Sequence, residues 1–171
     1  MKKYLSFLIE LHAHKIPFFE RDILDHLRGT YEVLGQWQVP NELAVAGLFH
    51  AIYLTEFFNT NEPNSTNREL IAAEIGSKAE QIAYSYCVMN RLEFIGQEST
   101  SLAFTDTYLD DQVNISKLQD QQLVELIWAN SIEQIQGETA PFKNRPELVI
   151  LFEKSKNRVS SAALKSYRSL L

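Results

Sequence analysis

A single cysteine, Cys87, is the whole thiol inventory of this 171-residue chain. No disulfide can close within the chain, and no zinc cluster of thiolates can be built. Its neighbours, AYSYCVMN, are apolar and helical, so Cys87 reads as a packing residue rather than a nucleophile. Glycine and proline are scarce as well, at 6 and 5. So few turn signals favour helices over a many-stranded sheet. No apolar run approaches the roughly 18 residues of a membrane span. The opening MKKYLSFLIELHAHK is interrupted by Glu10, His12 and His14 and lacks a small-residue cleavage site, so it does not read as a signal peptide. A cytoplasmic protein is the expectation. Basic charge is also short: the net charge is -6 and the pI about 5.2. That argues against nonspecific nucleic-acid binding, which needs a basic face.

What the chain does have is apolar mass. Hydrophobic residues make up 45% of it, enough for one full core in a single domain over residues 1–171. Helical spacing of Leu5, Leu8, Ile9 and Leu11 predicts a helix over 4–14, stopped before Pro17. Phe19, Ile23, Leu27, Tyr31 and Leu34 predict a second over 19–36. Pro40 and Asn41 open a third over 42–54 (LAVAGLFHAIYL), apolar almost all round and therefore the buried central helix. FNTNEPNSTN reads as a loop. Thr66 with Glu69, and Ser77 with Glu80, have capping-box spacing and open helices over 67–75 and 77–90, with Gly76 between them. Residues 91–105 suggest a turn or short strands. Residues 116–135 predict a long helix with Leu118, Leu123, Leu126, Ile127 and Ile132 inward, and 146–170 a helical tail. The fold class expected is all-α, a helical bundle.

His26 and His50 fall 24 residues apart on two predicted antiparallel neighbours. Two imidazoles on facing helices are half of a metal site. The succession DHLRGTYEVL, ELAVAGLFHAIYLTE, ELIAAEIGSKAEQIAYSYCVMNR and LVELIWANSIEQI resembles the hydrolase domain of the RelA/SpoT alarmone enzymes, an HD-type fold, over roughly residues 20–135. It is also similar to a family of small HD-like proteins marked by A-G-L-F-H-x-I-Y-x-T-E and an upstream H-x-R-G-T. The resemblance implies a single-domain HD-like bundle whose cavity holds a divalent metal (Mn, Fe or Zn) and takes a small, phosphorylated substrate.

Departures from the HD pattern fall on the ligands. Ala51 stands where the naming aspartate would be, and Asn130 where the second metal-binding aspartate would be. Thr55 and Glu56 replace the catalytic Glu-Asp pair, shifted by one residue. Only Glu56 keeps a negative charge nearby. Six residues after His50 it lies about 600° round a continuous helix, so it reaches the histidines only if the helix ends and the chain turns back. No useful hydrolysis of guanosine tetraphosphate is expected.

Two readings therefore stand side by side. In the first, His26, His50 and Glu56 hold a metal, with Glu56, Thr55 and Arg28 in catalytic roles and Arg28, Tyr53, Asn130 and Gln134 around a small-molecule ligand. The protein is then a metal-dependent hydrolase or oxygenase. In the second, the histidines are a buried hydrogen-bonded pair in a non-catalytic ligand-binding or regulatory module. Arg28 can equally pair with Glu32, four residues on. Neither nucleic acid nor membrane is an expected partner, and the apolar tail SYRSLL admits a homodimer.

Overall fold

The computed structural model describes residues 1–18, 21–53, 65–97, 101–137 and 145–171. These are mostly helical, with two short antiparallel strand pairs. Helix α1 (Lys2–Glu10) leads through a 3-10 turn (Ala13–Lys15) into β1 (Pro17–Phe18), which pairs with β2 (Arg21–Asp22). Helices α2 (Ile23–Gln36), α3 (Asn41–Phe49), α4 (Ser65–Ile75), α5 (Ser77–Val88) and α6 (Arg91–Gly96) follow. A hairpin of β3 (Ala103–Asp106) and β4 (Asp111–Asn114) then precedes α7 (Lys117–Gly137). The tail consists of α8 (Pro146–Ser155), a 3-10 turn and α9 (Ser161–Arg168).

Helix α3 is the centre, as its composition requires. Leu43 through Phe49 are all buried, and the helix packs against α2, α5 and α7. A helix apolar on every face gains most when every face is covered. Close approach to α2 depends on Gly47, since a Cβ there would collide with Leu34 Cδ1.

Several boundaries differ from those the sequence suggests. Helix α2 starts at Ile23, not residue 19, because the Asp22 carboxylate accepts from the Asp25 N–H at 2.9 Å and caps it. Helix α3 ends at Phe49, with His50 as its C-cap, rather than at residue 54. Residues 91–96 form a helix, opened by the Asn90 side chain. Ser160 accepts from the Ala163 N–H and starts α9 afresh, so the tail is two helices. Leu118 is 62% exposed rather than inward, and Ile9 faces solvent beside buried Leu8. Glu80 does not cap α5; it is buried and holds other side chains. No helix among the described residues is long and apolar enough to cross a membrane.

Candidate functional site

His26 lies in the second turn of α2, and Thr30 Oγ1 donates to its carbonyl one turn on. The Phe18 ring from β1 stacks on the His26 ring at 4.3 Å between centroids. His50 ends α3, so its ring folds back and Nδ1 donates to the Gly47 carbonyl at 2.7 Å. Cys87 Sγ donates to the His50 carbonyl at 3.0 Å, and the Tyr86 ring meets the imidazole edge-on. These contacts bring His26 Nε2 within 3.3 Å of His50 Nε2, with the rings near perpendicular. The two side chains are 2% and 4% exposed, so water does not share the pair freely.

The other nitrogen of His26 is held from α7. Its Nδ1 bonds to Glu133 Oε2, and the other carboxylate oxygen pairs with Arg21 of β2. The order is a chain: Arg21, Glu133, His26, His50, Gly47 carbonyl. Gly29 on α2 leaves room for the carboxylate, because a Cβ there would lie 2.5 Å from Glu133 Oε1. A pocket of about 240 Å³, lined by Arg21, Gly29, Glu32, Gln36 and Gln136 among others, reaches Glu133 from outside.

The charges follow from these contacts. Burial, with the neighbouring His26 adding to it, lowers the His50 pKa to about 3. His50 is then neutral, with its proton on Nδ1 facing Gly47 and a lone pair on Nε2. Burial pushes the Glu133 carboxyl up, but hydrogen bonds from His26 and Arg21 outweigh it and the net shift is downward. The carboxylate therefore accepts from His26 Nδ1, and His50 turns its Nε2 lone pair toward His26 Nε2. Two ring nitrogens thus face one small space between the helices.

A metal ion makes similar demands. Two imidazoles bound at 2.0–2.1 Å to a tetrahedral cation stand about 3.3 Å apart. Ligating histidines also have their second nitrogen fixed by a carboxylate or a backbone carbonyl. Both conditions hold for His26 and His50. A pair is only half a site, however. Among the described residues, no group of three or more His, Cys, Asp and Glu side chains is placed to hold an ion. Thr55 and Glu56 lie outside the described residues.

Of the other expected site residues, none meets the rings. Arg28 is corrected outright: it is 52% exposed and sits 3.6 Å from both Asp25 and Glu32. Two residues along a helix are about 200° round it, so His26 and Arg28 cannot both face inward. Tyr53 is buried, but its hydroxyl donates to Glu80 Oε1 at 2.6 Å. It belongs to a separate network in which Arg68 grips the Glu80 carboxylate through Nε and Nη2 and lies over the Tyr84 ring at 3.6 Å. Asn130 and Gln134 are half-buried and hydrogen-bond to neither ring. Glu133 takes the place expected for Asn130. It could have been found, since Leu126, Ala129 and Glu133 follow helical spacing on the inward stripe of α7. Arg21 carried no such signal.

A family model described as a domain of unknown function (DUF6817) matches residues 7–91, just under half of the chain. The match contains Arg21, His26 and His50 but not Glu133. No curated protein and no solved structure matches.

Proposed function

We propose that the protein is a metal-dependent, HD-like hydrolase or oxygenase acting on a small, anionic substrate, with a divalent cation carried on the Nε2 atoms of His26 and His50. One observation supports this above others: the two Nε2 atoms are 3.3 Å apart while each Nδ1 is held by a separate acceptor. Glu133 is then a positioning residue, fixing the tautomer and orientation of His26, and Arg21 anchors Glu133 in turn. Glu56 is the third protein ligand in this reading, as the only acid near His50 in the sequence on the side that departs from the HD pattern. When bound, such a cation supplies a Lewis acid that lowers the pKa of water or holds dioxygen. The residues around it would bind it, exclude solvent and keep His50 neutral.

The second reading, a non-catalytic ligand-binding or regulatory module, is favoured by a different observation. The two Nε2 atoms already satisfy one another, as a buried polar pair needs no ion to do. Metal content of the protein, purified without a histidine tag and compared with Glu56→Gln, separates the two. The first reading expects manganese, iron or zinc to copurify or bind on addition, with clear loss in Glu56→Gln. Equal binding by the variant removes Glu56 from the site, and no binding by the wild type leaves the second reading.

A further inference from the structure

The His26 and His50 rings are 2% and 4% exposed, so an ion or small molecule reaches their Nε2 atoms only if a neighbour moves. The pocket of about 240 Å³ does not lead there, because it ends on Glu133, which holds the Nδ1 side of His26. We propose that the β1–β2 strand pair is a movable cover, and that displacement of the Phe18 ring from the His26 ring opens the way to the pair.

Three observations carry the proposal. First, the groups that touch the two rings differ in burial. Tyr86 and Glu133 are 4% and 5% exposed, and Gly47 is buried, whereas Phe18 is half-buried and reaches the surface. Its ring lies flat on His26, 4.3 Å between centroids and 21° between planes. On that side a single aromatic ring stands between His26 and solvent.

Second, the walls differ in how firmly they are built. Gly47, Tyr86 and Glu133 sit on α3, α5 and α7, helices of 9, 12 and 21 residues. Strands β1 and β2 are two residues each, paired as Pro17 with Asp22 and Phe18 with Arg21. Pro17 has no N–H to give to that ladder. So short a unit opens locally at far lower cost than a packed helix shifts.

Third, the unit has a fixed base and a latch. The Ile23 N–H donates to the Ile16 carbonyl at 2.9 Å, and Asp22 caps α2, so a swing of the strands leaves α2 and His26 in place. Arg21 is the latch: it pairs with Glu133 of α7, and its guanidinium carbon lies 5.9 Å from the centre of the Phe18 ring. Closed, the cover keeps water off the imidazole; open, it admits an ion or a small ligand.

The proposal rests on the reading of the histidines as a site, but its test uses no metal, so each can fail alone. The probe for the pair is diethyl pyrocarbonate, with modification of His26 followed by peptide mass. The probe for wider opening is iodoacetamide on Cys87, which is buried on α5 and donates to the His50 carbonyl. Each rate is divided into that of the denatured chain to give a protection factor. In the wild type, His26 should be protected at least about tenfold less than Cys87, because local opening is cheaper than global unfolding. Phe18→Ala should lower His26 protection by at least about tenfold more and leave that of Cys87 within about threefold. Phe18→Leu and Arg21→Gln should shift His26 in the same direction, and they carry the test if Phe18→Ala does not fold. Equal protection of His26 and Cys87 in the wild type overturns the proposal, since His26 is then reached only by global unfolding. So does a parallel loss of protection at both residues in these variants, or no change at His26 in any of them.

Discussion

Glu133 is the residue on which the geometry of the histidine pair turns. It is 5% exposed and touches both Arg21 and His26. Glu133→Gln keeps the shape but removes the charge that both partners face, and an amide cannot accept on both sides as a carboxylate does. We expect a loss of about 1–3 kcal/mol, read as a fall in Tm of several degrees. Glu32→Gln, on the exposed face of α2, should change Tm by well under a degree. Equal effects from the two would mean that the Glu133 contacts contribute nothing. At this scale the sequence disclosed the histidines because their spacing and apolar surroundings are unusual. It did not disclose Arg21, whose approach depends on the β1–β2 pairing, and it placed Arg28 inward where helical rotation turns it out.

Elements were the more legible level. Helices α1, α2 and α7 follow from apolar spacing, α4 and α5 from capping signals, and α3 from the absence of a polar face. Ends were less legible, since caps compete locally. The Asp22 cap shortens α2, and the Ser160 cap splits the tail. The glycines of α2 and α3 make this scale testable. Gly29→Ala places a methyl against Glu133, which cannot retreat without leaving His26 or Arg21. Gly47→Ala drives one into Leu34. Each should cost about 1–3 kcal/mol through overpacking. Only Gly29→Ala should also disturb the histidine pair, visible as a changed imidazole signal in NMR while Gly47→Ala leaves that signal in place. Unchanged Tm in both would contradict the packing described for α2.

For the whole molecule, the buried neutral His50 sets a dependence of stability on pH. Its pKa is 6.5 unfolded and about 3 folded, so the unfolded chain takes up a proton first as pH falls. Its contribution is fully present above pH 6.5 and is lost on acidification toward 3, at roughly 1.4 kcal/mol per pH unit. Glu133, lowered from 4.5 by its two partners, adds to the same trend below that value. Denaturant unfolding of metal-free protein should therefore weaken steadily below pH 6.5, and less steeply in His50→Asn. The central claim is that the facing Nε2 atoms of His26 and His50 can hold a divalent cation between them. Calorimetric titration of zinc or manganese into the untagged, chelator-treated full chain tests it most directly. The account predicts saturable binding at one ion per chain, lost in His50→Asn. No binding, or binding unchanged in His50→Asn, would contradict it.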